Sequence, residues 1–267
     1  MRCLYHSLNI GTSLYSLLEY GQHNGFINGI NTWDDWHLIP QSLPVVTTPS
    51  LDSKIVKIPG SHGFVDLSDA INGHLTYSSR NGSWTFIAHP DYSKTEPWNV
   101  KLSKISSYLN KSKKFYIQFE DDPSYFYTGQ LTVDQWSPGE NWSQVTINYT
   151  LMPFKYEITF SDRDWPWDII NFNNSLFRDG EYSDIEISEN DGYVEINCTD
   201  AGDGEWVPQF TVNSKIDIKF GNIEKSITGQ GNYTFDDIRF SGMNNKIKVK
   251  ATNGSATLTI RYRRTSL

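Results

Sequence analysis

Six histidines, two cysteines and 31 acidic residues could supply a hydrolase or a metal centre, and their spacing decides whether they can act together. Gly60-Ser61-His62-Gly63 puts a serine beside a histidine, yet adjacent residues on a strand or turn point apart, and the Gly-x-Ser-x-Gly spacing of a nucleophile elbow is absent. The segment reads as a turn. His6, His23, His37, His62, His74 and His89 are scattered without a His-x-x-x-His pair, so no zinc site is expected. Cys3 and Cys198 lie too far apart in sequence to suggest a disulfide framework and read as reduced thiols. Glu120, Asp121 and Asp122 fall at a chain reversal before Pro123, where carboxylates are solvated or cap the turn. Asp200, Asp203 and Glu205 surround Gly202 and Gly204 without the spacing of a calcium-binding EF-hand, and read as a solvated loop. No catalytic, metal-binding or cofactor-binding residue is expected.

Three tryptophans have two readings. Trp165, Trp167 and Trp206 offer indole faces on which sugar rings stack, which would make the chain a carbohydrate-binding module. Trp165-Pro166-Trp167 also adjoins a domain boundary expected near Lys155, which favours burial there. A glycosidase is a further alternative, and it would need two carboxylates facing one cleft about 5 to 9.5 Å apart.

The elements that would carry these residues are mostly strands. Aromatic residues make up 14 % of the chain and turn residues recur every few positions, which favours a mainly β fold. The formal net charge of -8 disfavours sequence-specific nucleic-acid binding, which needs clustered Lys and Arg. No apolar run reaches the roughly 18 to 20 residues of a membrane span, so no membrane partner is expected. Asn141-Trp142-Ser143, Asn148-Tyr149-Thr150 and Asn232-Tyr233-Thr234 match glycosylation sequons, as an Asn-rich, Ser-rich and Thr-rich chain does by chance.

Residues 1–25 read as an N-terminal extension, with Leu14, Leu17 and Leu18 as one face of a short helix or a loose tail. Residues 33–39 form an apolar and aromatic run that reads as a short strand, and Lys54 to Ile58 alternates as a half-buried strand would. Between them Pro40, Pro44 and Pro49 frame Leu43, Val45 and Val46, too β-branched for a helix and too proline-broken for a central strand. An extended arm is expected. Asn81-Gly82 predicts a tight hairpin turn pairing 75–79 with 84–88. Trp98, Leu102, Ile105 and Leu109 predict one helix opened by Glu96 and Pro97, with strands following at 115–120, 125–136 and 143–151. Short runs at 156–160, 185–188, 193–198, 209–212, 215–220, 233–240, 246–251 and 256–262, separated by turns, predict a β-sandwich.

Asn31-Thr32-Trp33 leading to Asp35-Trp36-His37-Leu38, then Val56-Lys57-Ile58-Pro59-Gly60, Gly63-Phe64-Val65-Asp66-Leu67, and Tyr77 followed by Arg80 resemble in kind and order the distal tail protein family of long-tailed bacteriophages. The resemblance continues through Phe115 to Tyr127 and on to Met152-Pro153-Phe154. It implies a ring domain over 26–155, a β-sandwich or split barrel with one helix and an extended arm, and a galectin-like β-sandwich over 156–267. It further implies a homo-hexameric ring at the virion tail tip, assembled in the bacterial host cytoplasm. One ring face would meet the major tail tube protein and the other the baseplate or tail-associated protein, with a receptor-binding protein as a further partner. The arm, with Leu43, Pro44, Val45 and Val46, is the expected grip between copies, by adding to a neighbour's sheet edge across an interface of roughly 2,000 Å² or more.

Overall fold

A strand with one dry face alternates large apolar with polar residues, and Ser143–Leu151 does so, burying Val145, Ile147, Tyr149 and Leu151. The structure is a computed structural model that describes residues 8–11, 30–60, 62–70, 75–88, 97–139, 142–163 and 182–267. It is mainly β, and the chain divides into two compact units, Met1–Pro153 and Phe154–Leu267.

The first unit contains β1 (Leu8–Gly11), β2 (Ile30–Asn31), β3 (Leu38–Pro40), β4 (Ile55–Lys57), β5 (Phe64–Asp66), β6 (Arg80–Ala88), α1 (Trp98–Leu109), β7 (Phe115–Phe119), β8 (Asp122–Ser137) and β9 (Ser143–Leu151). Seven strands form one antiparallel sheet in the order β3-β6-β9-β8-β7-β1-β2. Its dry face buries Leu8, Ile10, Trp84, Phe86, Phe115, Ile117, Val145 and Ile147, and α1 adds Ile105 and Leu109 to the same core. The helix stripe is the one its spacing predicts. Lys101 is buried beside it with its ammonium 5.6 Å from the centre of the Trp98 ring, the position of a long side chain that snorkels along an aromatic face. Glu96 lies outside the described residues.

Several expectations are corrected. Residues 32–36 form a turn rather than a strand: Asn31 Oδ1 accepts from the backbone N–H groups of Trp33 and Asp34, and an asparagine that caps its own turn competes with strand pairing. Asn81-Gly82 is no hairpin turn. Both residues lie inside β6, which pairs with β9 without a break from Arg80 opposite Leu151 to Ala88 opposite Ser143. Glycine serves close approach there, because a Cβ on Gly82 would come 2.3 Å from the Tyr149 hydroxyl oxygen. Within the N-terminal extension, Leu8–Gly11 is a core strand rather than a loose tail, since Leu8 and Ile10 are fully buried against β7; residues 12–25 lie outside the described residues.

The second unit is a sandwich of two sheets. One runs β15 (Ile223–Ile227), β14 (Ile216–Phe220), β17 (Phe240–Ala251), β12 (Val194–Trp206), β19 (Thr265–Ser266), β10 (Lys155–Glu157). The other runs β11 (Ile185–Ser188), β18 (Ser255–Arg261), β13 (Gln209–Val212), β16 (Gly231–Thr234). Phe210, Val212, Leu258 and Ile260 from the second sheet meet Ile216, Ile218, Phe240, Ile247 and Val249 from the first, all buried. The run expected at 233–240 is two strands interrupted at 235–239, and β15 is an edge strand that alternation did not reveal. Gly202 has φ +86 and its absent Cβ leaves room for the Thr265 carbonyl, so β19 can pair beside β12.

Candidate assembly surface

Segment 41–49 has no ladder of its own, and the sheet beneath it holds its backbone at Gln41, Val45 and Thr47. Gln41 N–H donates to Thr85 O at 2.9 Å, the Trp84 indole N–H donates to Val45 O at 2.9 Å, and Thr47 N–H donates to the Tyr149 hydroxyl at 3.1 Å. The Thr47 hydroxyl donates to Asn81 O at 3.1 Å. Arg80 closes the far end: Nη1 donates to Thr47 O at 3.0 Å and Nε to Pro153 O at 2.7 Å, while Nη2 is buried with no hydrogen-bond partner among the described residues. Burial lowers the Arg80 pKa from its ordinary value, against a smaller pull the other way from Tyr127 and Tyr149. Trp84 stacks on Tyr149 with ring centres 4.3 Å apart, and this aromatic floor carries the segment. Pro44 is buried and Val46 half-buried, but Leu43 and Val45 are 51 % and 64 % exposed. The segment is a strap fastened to its own unit by its backbone, with two apolar side chains left outward.

Beyond the strap the chain leaves the sheet. Ser78 N–H donates to Ser50 O at 2.9 Å and Asp52 N–H to Thr76 O at 2.8 Å, and then β4 and β5 form a two-stranded ribbon that pairs with nothing else among the described residues. Every described residue of 51–67 is exposed, so the half-buried strand expected at Lys54 to Ile58 is corrected. Register explains its two faces. Val56 opposes Val65, and the two-residue period adds Ile58 and Leu67 to that side; Ile55 opposes Asp66 and Lys57 opposes Phe64 on the other. At the base, Lys54 N–H donates to the Ser68 hydroxyl oxygen at 2.9 Å and Ser68 N–H donates to Asp66 Oδ1 at 2.9 Å. Hydrogen bonds from the Ser68 hydroxyl and then its N–H hold the Asp66 carboxyl below the usual carboxylate range.

The groups with chemical potential are placed apart. No three His, Cys, Asp or Glu side chains among the described residues could hold a metal ion together. Cys198 is fully buried in the second unit, and burial pushes its thiol up to about 12, away from reactive thiolate. The solvated loop expected at Asp200, Asp203 and Glu205 is corrected, since all three positions lie in β12, where Asp203 accepts from Leu267 N–H at 2.9 Å and Glu205 pairs with Arg239 at 3.0 Å. The Glu120-Asp121 pair forms the β7–β8 turn. Trp206 is half-buried against the second core and meets the Tyr156 ring edge-on at 5.6 Å. Trp165, Trp167, Ser61, Cys3, His6, His23, His74, His89, Asn141 and the Asp200 side chain lie outside the described residues. Sequence reasoning missed the bareness of β4 and β5 and the fastening by Arg80, Trp84 and Tyr149. Alternation predicts a buried face but cannot say whose surface covers it. Among the described residues, no helix is long and apolar enough to cross a membrane.

No protein-family model matches the chain, and no curated protein matches it by sequence. Among solved structures it is similar to the crystal structure of SPP1 Dit (gp 19.1), described as a paradigm of hub adsorption apparatus in Gram-positive infecting phages. The similarity has a TM-score of 0.52 at 13 % identity and covers 85 % of this chain and 93 % of that one. At that identity the likeness is one of fold.

Proposed function

We propose that the chain is a structural hub of the distal tail type, closing head to tail with copies of itself into a hexameric ring that joins a phage tail tube to the baseplate. Support comes from the fold likeness to a hub adsorption protein, from the ordered motifs around the strap, and above all from the bare ribbon of β4 and β5. A two-stranded hairpin alone in water is marginal at best, so this one needs a partner surface. Nine large apolar residues between Leu43 and Leu67 are exposed. Half-exposed side chains of this size leave on the order of 100 Å² each, so together they approach the roughly 800 Å² per partner of a specific interface and exceed the roughly 300–600 Å² patch of a typical monomer. Lipid is a poor occupant. Both outer edges of the ribbon carry unpaired N–H and C=O groups, which hydrocarbon leaves unsatisfied and a protein strand edge does not. A contact between two different patches of identical subunits, ribbon on one and acceptor on the next, closes into a ring when its rotation divides a full turn. The second unit then serves as a galectin-like spacer or docking surface for receptor-binding components.

Native mass spectrometry and negative-stain microscopy test this. The intact chain should give annular particles at a multiple of 30.6 kDa, and replacing residues 54–67 by a short Gly-Ser linker should give a folded monomer. An intact chain that stays monomeric at tens of micromolar, or a linker variant that still closes, overturns the reading.

A further inference from the structure

The sequence holds two Asn-Gly-Ser tripeptides, Asn81-Gly82-Ser83 and Asn253-Gly254-Ser255. Asparagine followed by glycine is open to attack by the main chain on its own side chain, because glycine lacks the Cβ that would shield its nitrogen. The fold puts these identical triplets in opposite settings. The first lies inside a sheet: β6 pairs with β9 across it, Asn81 Oδ1 accepts from the Thr150 hydroxyl at 2.9 Å, and Asn81 Nδ2 donates to Ser79 Oγ at 3.3 Å. Ring closure there would swing the Asn81 carboxamide carbon back onto the Gly82 nitrogen, against an extended backbone and both bonds. The second triplet follows β17 and leads into β18, so it carries the chain from one sheet of the second unit to the other. All three of its residues are exposed, Gly254 has φ +74, and the Asn253 carboxamide makes no hydrogen bond among the described residues.

One side chain holds that turn. Glu189 opens the 3-10 turn at 189–191 that joins β11 to β12, and its bonds with Gly254 are reciprocal: Gly254 N–H donates to Glu189 Oε2 at 2.8 Å, and Glu189 N–H donates to Gly254 O at 2.7 Å. We propose that Asn253-Gly254 is a site of spontaneous self-modification and that the Glu189 carboxylate is the brake on it. In the step, hydroxide from water takes the Gly254 N–H proton, the nitrogen attacks Asn253 Cγ, the Cγ–Nδ2 bond breaks, and ammonia leaves with a proton from water. A succinimide remains, which water opens to aspartate or isoaspartate; nothing is oxidised or reduced. The proton that must go first is the one Glu189 holds. A carboxylate accepting that N–H stabilises its protonated form, and its negative charge opposes an amide anion 2.8 Å away, so both effects slow the step. Once formed, the new carboxylate sits in the clamp with Glu189, like charge against like. Isoaspartate also adds a carbon to the main chain of a turn that must span two sheets. The inference concerns the second unit alone and stands whether or not the chain closes into a ring.

Peptide mapping by mass spectrometry of intact protein incubated at pH 8 is the readout, with each triplet the other's control. Native Asn253 should convert at least tenfold faster than native Asn81, and the two rates should converge in urea, where sequence alone sets them. Glu189→Gln, which keeps an acceptor without the charge, should speed Asn253 conversion several-fold and Glu189→Ala more, with Asn81 unmoved. Matching rates in the native protein, or a difference that persists in urea, overturn the site. Glu189 variants that leave the Asn253 rate unchanged, or that speed alkylation of the buried Cys198 in the same proportion, overturn the brake, the second because the whole unit is then opening.

Discussion

The two units solve burial differently. Of sixteen exposed large apolar residues among those described, thirteen belong to the first unit and three, Tyr193, Met243 and Leu267, to the second. The second unit folds its two sheets on one another and turns polar side chains out, as where Lys246 and Lys248 face Glu195 across β17 and β12. The first unit completes a seven-stranded sheet and then leaves its ribbon bare. The second unit covers nearly all of its large apolar side chains by itself, whereas the first leaves a ribbon of them exposed. Stability and assembly should therefore be separable by mutation, with core changes acting on folding and ribbon changes on association.

The same residue type placed in each unit gives the sharpest test. Phe210→Ala in the second core, where the ring is fully buried, should cost about 3–5 kcal/mol in denaturant unfolding of that unit. Phe64→Ala, at 64 % exposure, should change subunit stability by less than about 0.5 kcal/mol yet weaken self-association at least tenfold by native mass spectrometry. A Phe64→Ala subunit that unfolds readily would erase the contrast between the units.

Next in size is Arg80→Lys, which keeps the charge and loses the fork. About 1–3 kcal/mol should go from unfolding of the first unit, with the second unit's transition unmoved. A shift in both transitions would show the units to be one cooperative block.

Cys198 reports on the finished unit. Its thiol is held protonated up to about 12, so burial stabilises the fold fully below the ordinary value of 9.0, and that contribution fades as pH rises toward 12. Iodoacetamide labelling of the Cys198 peptide at pH 8 should follow global unfolding of the second unit; rapid labelling of native protein would refute its closure.

The smallest effect belongs to the ribbon base. Asp66 has a lowered folded pKa, so it stabilises the base above the unfolded value of 3.8 and ceases to as pH falls below it. Amide exchange at Ser68, corrected for intrinsic rate, should speed up near pH 3 relative to pH 6, and Asp66→Asn should abolish that dependence.

Legibility in the sequence followed how local each cause was. Ile105 and Leu109 face the core as their helical spacing requires, because a helix sets its own period. Asn81-Gly82 misled because a turn signal is local whereas pairing with Ser143–Leu151 is not, and nine ladder pairs outweigh one favourable dipeptide. Leu8–Gly11 is too short to declare itself and becomes a strand by filling a place beside Phe115–Phe119. The prolines did mark a segment outside regular structure, which begins after Pro40 ends β3 and holds Pro44 and Pro49. Nothing in those ten residues revealed that Trp84 and Tyr149, tens of positions away, would pin it down.

The unpaired edges of β4 and β5 also set a deadline. Left uncovered, two extended segments with free donors and acceptors and apolar side chains are open to whichever strand diffuses past. In the proposed ring, correct closure would be a race between two concentration-dependent encounters. Yield from refolding should pass through a maximum with protein concentration, too dilute to close on one side and precipitating on the other.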